Sequence, residues 1–569
     1  MTLFGRREKE SGLDRVNKHT KTYLSLLAAG GEVPVAALEQ AHLEMEPNLH
    51  PVGEGEELDV SALVYASLRL PLEIGATRRV ILGQGDRAFQ EAGFGDIFHW
   101  RRVSSPARRR HWRVDGKGAM AAYLISVSDI DDLIPCLTAL QVEWNKAHRK
   151  LGKSDLGDDL AEGLAAPLER AGEVRALLGL SGEDWDLLRT AWGESLAGRL
   201  SAMATAPLNL RVSMPKGRFS GYRRAVQNWW RGLCLAADHL QLEYRPLYFV
   251  SSNLHGLANL VNGFARPRRE ELLERLAGQG GRELGRRIRA LRAQGAENAL
   301  NDLAYFAARQ AAQGDQGMRE ELALADQEAG LFHYDDSHNL HLSAQILEIC
   351  RLDPRLLDPR LLPADPAGLA KSKALLLNID YPLGFAAYHL FSQVVSGARN
   401  LAGAYVLGKS AVMNGRLGDV LIPNEVLDLH SGNRFFFPNC FAAPDFDGLL
   451  EEAAVFDRQK CLCVRGTFLQ NRPMMQQFHL EDFNGIEMES GPYLCALYEH
   501  LNPERYPMNG AVNLHDTCDC ELGILHYGSD TPYNRRESLL SRALGLNGLE
   551  PTYACSSLIL RRILAREAA

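Results

Sequence analysis

Asn484-Gly-Ile-Glu-Met-Glu-Ser-Gly-Pro-Tyr493 is a short apolar run that breaks into polar residues and then into a helical pattern, which predicts a strand feeding a helix. Alternation along the strand puts Glu487 and Glu489 on the same side. Ser490 is in position to cap the following helix, and Pro492 suits its first turn. A second transition, Gly523-Ile-Leu-His-Tyr-Gly-Ser-Asp-Thr-Pro-Tyr533, ends an apolar strand at Gly528 and presents Ser529 and Asp530. Ligands of open α/β sheets bind outside the carboxyl ends of strands. Two carboxylates, Glu489 and Asp530, are therefore expected in one crevice.

Working outward, further strands are predicted at Leu247 to Val250, Ala374 to Leu377, Ala404 to Leu407, Val420 to Ile422 and Cys461 to Val464. Strand-like runs alternating with helix-like ones argue for an α/β unit with a substantially parallel central sheet over 241–569. Interleaved acidic and basic residues from Arg268 to Gln294 predict a solvated helical insertion near 264–370. The region 1–240 is expected to be mostly helical, with some strand near 78–128, where Val80-Ile-Leu82 and Ala121 to Ile125 flank an arginine-rich stretch. Ser181-Gly-Glu-Asp184 is a helix-start signal.

The chain has 569 residues, 46% hydrophobic and 24% charged, too long for one core and too ordinary in composition for a disordered or fibrous protein. Its net charge of -8 disfavours non-specific binding to a phosphate backbone. Ten cysteines without a paired framework favour a reducing cytoplasm over a disulfide-stapled secreted protein. Met1 to Glu10 lacks an apolar core, and the richest apolar stretch, Ala374 to Phe391, carries Asp380, Pro382 and His389. Neither a signal peptide nor a membrane span is expected.

Three landmarks in order resemble the purine nucleoside phosphorylase and uridine phosphorylase superfamily, which includes nucleosidases. Gly408-Lys-Ser-Ala-Val-Met-Asn-Gly-Arg-Leu-Gly-Asp-Val-Leu-Ile-Pro423 is similar to its glycine-containing strand and "GDVVIP" loop, Glu487-Met-Glu-Ser490 to its "EMES" motif, and Ser529-Asp530 to the Ser-Asp pair of purine-cleaving members. The resemblance spans roughly 245–569 and implies a nucleoside-phosphorylase-like central mixed sheet flanked by helices. Leu247-Tyr-Phe-Val-Ser-Ser-Asn253 would be the first core strand, with Ser251 and Asn253 on the phosphate side. The resemblance further implies that Glu489 accepts the sugar hydroxyls while Met488 packs on the sugar and Glu487 stands beside them. Asp530 would assist departure of a purine, oriented by Ser529. It implies cleavage of the N-glycosidic bond of a purine-type nucleoside or nucleotide, no cofactor or metal, and a homo-oligomer. The alternative is a catalytically inactive nucleoside- or nucleotide-binding sensor.

Departures from the pattern leave the acceptor open. Where many phosphorylases place an arginine before the third-strand glycine, this chain has Ala404-Tyr-Val-Leu-Gly408, and the first cation is Lys409. Inorganic phosphate and water therefore compete as acceptor, with Arg399 and Arg434 as further candidates to enter the pocket. In Thr467-Phe-Leu-Gln-Asn-Arg472, Phe468 is a candidate to stack on the base. Gln470 and Arg472 are similar to the pair of pyrimidine-reading members, or are ordinary loop residues. Gly83-Gln-Gly-Asp-Arg87 reads as a tight turn, and Asn378 to Gly384 as a strand end opening a helix.

Two polar clusters, His333, Asp335, Asp336, His338 and His341, and His515, Cys518 and Cys520, have irregular spacing for a metal site. The arginines from Arg101 to Arg113 are a candidate nucleic-acid patch, with a solvated strand-and-turn face preferred. In Arg211 to Arg231, with Lys216, Arg218, Arg223, Arg224, Trp229 and Trp230, a helix with buried tryptophans is preferred.

Overall fold

The computed structural model describes residues 11–569 apart from 109, 153, 163–167, 215–220, 280, 337–339, 364, 516–519, 532–545 and 547. Arg109, Lys216, Arg218, His338, Cys518, Pro532 and Tyr533 of the sequence readings above lie outside the described residues.

The molecule is a mixed α/β protein with two sheets. The first joins β1 (Glu32–Pro34), β2 (Arg79–Gly83), β3 (Arg101–Val103), β4 (Trp112–Val114), β5 (Ala119–Tyr123) and β6 (Arg211–Ser213) in the order β1-β6-β2-β5-β4-β3. Against it packs the helix Val127–Leu151, opened by a capping box in which Ser126 and Asp129 satisfy each other's backbone N–H groups. Its Ile130, Leu133, Leu137, Leu140 and Trp144 are all buried in the core of this part of the chain. Such side chains contribute about 1.5–3 kcal/mol each when fully buried. Three-residue strands such as β1 and β6 are too short for periodicity to register, which is why the stretch from Asp131 to Leu240 reads as helical throughout.

The second sheet contains β7 (Leu247–Ser252), β8 (Leu331–Asp335), β9 (Ser343–Glu348), β10 (Leu375–Asp380), β11 (Leu401–Val412), β12 (Val420–Asp428), β13 (Arg434–Phe436), β14 (Val455–Cys463), β15 (Phe483–Glu487), β16 (Ala511–Asn513) and β17 (Glu521–Asp530). The seven strands expected here from sequence all form. In the expected helical insertion the α-helices run from Arg269 to Glu328; β8 and β9 then form an antiparallel hairpin on the sheet edge beside β10, and short 3-10 turns follow. In β8 the exposed positions alternate with half-buried ones, an edge pattern that weak local hydrophobicity hides.

The sheet is mixed. β7 pairs in parallel with β10 and β11, and β11 in parallel with β17, while β15 runs antiparallel to β11. Because β12 pairs with β14, β14 with β15, β15 with β11, β11 with β17 and β17 with β12, five strands close on themselves. Closure brings two distant strand ends together at one residue: Ala411 is in register with Ile486 on one side and Asp530 on the other. Among the described residues no helix is long and apolar enough to cross a membrane.

Candidate active site

The carboxyl ends of β7, β10, β15 and β17 gather polar residues. Glu489 lies just before the helix Ser490–Leu501, and its Oε1 accepts the backbone N–H of Gly384 at 2.9 Å. Burial holds its carboxyl above the ordinary value, opposed by the Gly384 N–H and by the charge of Arg108. Glu487 is buried, and its Oε2 accepts the N–H groups of Glu489 and Ser490, both at 2.7 Å. Burial and the neighbouring Glu489 push its carboxyl up to about 8, which favours its protonated form near neutrality.

Asp530 ends β17 half-buried, and burial pushes its carboxyl up to about 6 against the charge of Arg69. The Ser529 hydroxyl points to the carbonyl of Ser410 at 3.4 Å. Ser490 is the first residue of its helix rather than its cap. Its hydroxyl instead lies 3.0 Å from Nε2 of the fully buried His526. Gly408 faces the same ring: a Cβ there would lie 2.6 Å from His526 Nδ1. Met488 is buried, with its Cε 3.6 Å from where a Cβ of Gly384 would stand.

Of the other residues singled out, Ser251 is buried and bonds the Tyr493 side chain. Asn253 caps the helix Leu254–Val261, accepting the N–H groups of His255 and Gly256. Lys409 and Arg472 are exposed. Gln470 is buried, with its carbonyl on the N–H of Asn48. Phe468 is 2% exposed and packs edge-on against Tyr65, 5.2 Å between ring centres, as part of the N-terminal core. Arg399 and Arg434 do not enter the crevice: Arg399 covers the ring of Tyr244, and Arg434 pairs with Glu425. Both are drawn away by a nearer partner on their own surface.

The N-terminal half reaches this site through Arg69 and Ser128, which sequence reasoning did not single out. Arg69 is 8% exposed, sits 3.2 Å over the Tyr65 ring and donates to the Tyr65 carbonyl. Arg108 forks onto Asp132, and Arg110 bridges Asp129 and Asp132. The arginine-rich stretch is therefore neither a free nucleic-acid patch nor wholly solvated: Arg110 and Arg113 are buried, and the carboxylates of the Val127–Leu151 helix neutralise Arg108 and Arg110.

Ser128, on the first turn of that helix, meets the β10 exit loop. Its hydroxyl accepts the N–H of Phe385 at 2.8 Å and lies 3.4 Å from His430 Nε2. Gly384 takes φ +53°, and a Cβ there would stand 2.4 Å from Ser128 Oγ. His430 follows β12 and holds Asp428 through Nδ1 at 2.8 Å. Asp428 in turn lies against the helix start, where a Cβ on Gly491 would come within 2.5 Å of it. Glu489, Gly384, Ser128, His430, Asp428 and Gly491 thus form a closed circuit. The only sequence signal was a polar Asp428-Leu-His430-Ser431 turn at the end of an apolar strand.

Asp428, His430 and Cys463 bring an oxygen, a nitrogen and a sulfur within 4.8 Å of one another. They do not suit a cation. The two Asp428 oxygens are already taken as acceptors by the N and Nδ1 of His430, the N and Oγ of Ser431 and the Cys495 thiol. In the two polar clusters noted from sequence, His333 pairs with Asp326, His341 stacks on His111 at 3.8 Å, and His515 folds onto Asn513. A cavity of about 490 Å³ lined by Arg287, Asp302, Arg416, Asp419, Glu452 and Glu550 includes none of the crevice residues.

Fold and site together define a mixed α/β protein with carboxyl groups at strand ends of its larger sheet, met by Arg69 and Ser128 of its own N-terminal half. The chain belongs to the DUF6909 family, a family of unknown function, whose model matches residues 35–565. No curated protein matches it. Solved structures that resemble it include 5'-methylthioadenosine/S-adenosylhomocysteine nucleosidase from Neisseria meningitidis, at 12% identity and TM-score 0.28, covering 43% of this chain and 95% of that one. AMP nucleosidase from Bacteroides thetaiotaomicron aligns at 10% identity and TM-score 0.27, covering 58% and 96%. Uridine phosphorylase from Vibrio fischeri aligns at 8% and 0.27, covering 42% and 86%.

Proposed function

We propose that the protein cleaves the N-glycosidic bond of a purine-type nucleoside or nucleotide. What supports this reading is that β17, which ends at Asp530, and β15, which ends two residues before Glu489, flank the same strand β11. A carboxyl pushed up to about 6 holds a usable fraction of its proton near neutrality and can give it to a departing purine. Glu489, anchored by the Gly384 N–H, would accept sugar hydroxyls while positive charge develops at the anomeric carbon. Ser529, with its hydroxyl on the Ser410 carbonyl, would fix the strand end from which Asp530 projects.

The test is release of free base from purine and pyrimidine nucleosides and their monophosphates, with and without inorganic phosphate. Wild type should release a purine, and Asp530→Asn should lose about 10² or more of the rate. Absence of release from every substrate would refute the proposal.

A second reading, a binding protein without turnover, is favoured by Arg69. Its charge acts on Asp530 in the ionised direction, and an ionised carboxylate cannot protonate a leaving group. Ligand-induced stabilisation without base release would support it.

A further inference from the structure

We propose that His430, oriented by Asp428 and Ser128, is the base that takes the proton from an attacking water, which makes the reaction a hydrolysis; this rests on the glycosidic-cleavage reading above. The hydrogen bonds set the direction of the relay. The Phe385 N–H donates to Ser128 Oγ, which fixes that oxygen 3.4 Å from His430 Nε2, at the long limit of a hydrogen bond, so a water can take the serine's place at the ring's lone pair. The Asp428 carboxylate can only accept from Nδ1, so Nδ1 carries the hydrogen and Nε2 is left with the lone pair. A carboxylate behind a histidine fixes its tautomer and steadies the imidazolium that forms.

The position suits the task. Asp428 is pressed against Gly491, two residues beyond Glu489, and Gly384 joins Glu489 to Ser128, so His430 stands at the sugar end of the crevice. The groups facing it are Asp428 on its own strand end, Cys463 on β14, Glu489 ahead of the Ser490–Leu501 helix, Asp131 and Ser128 on the Val127–Leu151 helix, and the ring of Phe385 at 5.5 Å. In the step, a water oxygen bonds to the anomeric carbon and its proton passes to Nε2. The carbon–nitrogen bond breaks with its electron pair going to the purine, and Asp530 supplies the purine's proton. Transfer of the imidazolium proton through solvent to Asp530 restores both groups.

The experiment is base release by the full chain in phosphate-free buffer. His430→Gln should lower kcat by about 10²–10⁴ with KM within a few-fold of wild type, and imidazole should restore part of the rate to His430→Ala. Asp428→Asn, whose amide donates to Nδ1 and reverses the tautomer, should lose as much, and carries the test should His430→Gln not fold. Wild-type release with an unchanged rate in folded His430→Gln overturns the role of His430 and leaves glycosidic cleavage standing. Release only upon adding inorganic phosphate does the same. Absence of release from wild type on any substrate overturns both.

Discussion

The backbone N–H of Gly384 donates to Oε1 of Glu489 across 2.9 Å, joining the exit of β10 to the end of β15. Gly384 holds φ +53° with Ser128 Oγ in the space a Cβ would need. Gly384→Ala should therefore strain the backbone and push the N-terminal helix from the crevice, destabilising the protein by about 1–3 kcal/mol. Denaturant unfolding measures the loss, and an unchanged midpoint would contradict the close approach.

Asp132 neutralises two arginines at once, Arg108 at 21% and Arg110 at 1% side-chain exposure. Asp132→Asn leaves Arg110 on Asp129 alone and strands part of a buried positive charge. A loss of about 3 kcal/mol is expected, whereas Arg101→Ala, an exposed partner of Glu73, should cost under about 1 kcal/mol. The two unfolding curves compared directly make the test.

Glu487 has a folded-state value of about 8 against an ordinary 4.5. A raised value means the folded protein holds the proton more tightly than the unfolded chain, so this group's contribution is fully present below pH 4.5 and is lost as pH rises through about 8. Glu487→Gln keeps an oxygen for the N–H groups of Glu489 and Ser490 and cannot ionise. Its melting temperature should fall less than that of wild type between pH 6 and pH 8.5.

Arg69 holds the Asp530 carboxyl below where burial alone would put it. If Asp530 acts as the acid, base release falls as pH rises through about 6. Arg69→Met should move that limb to higher pH, the shift of the limb in a rate profile being the quantity read. A limb that stays in place would show that another group governs it.

Much of the larger sheet was legible because β7, β10, β11, β12, β14, β15 and β17 have buried cores whose apolar runs stand out locally. Alternation and the end of each run gave the placement of Glu489 and Asp530 at strand ends. β1, β6, β13 and β16 escaped, since three residues carry no period, and the β8–β9 hairpin escaped beside a long helical stretch. Ser490 looked like a cap because residue type and position allow it. What overrode that was a tertiary partner, His526, drawn from a strand 36 residues away.

By itself, the sequence determined that seven apolar runs of the larger sheet form strands and that Asp530 ends one of them while Glu489 follows another, because these depend on hydrophobic period and turn chemistry within a few residues. Only the tertiary structure decided who shares the crevice. Barrel closure sets Asp530 and Ile486 on either side of Ala411. The contact of Ser128 with His430 joins residues 302 positions apart, a proximity produced by packing one half of the chain against the other.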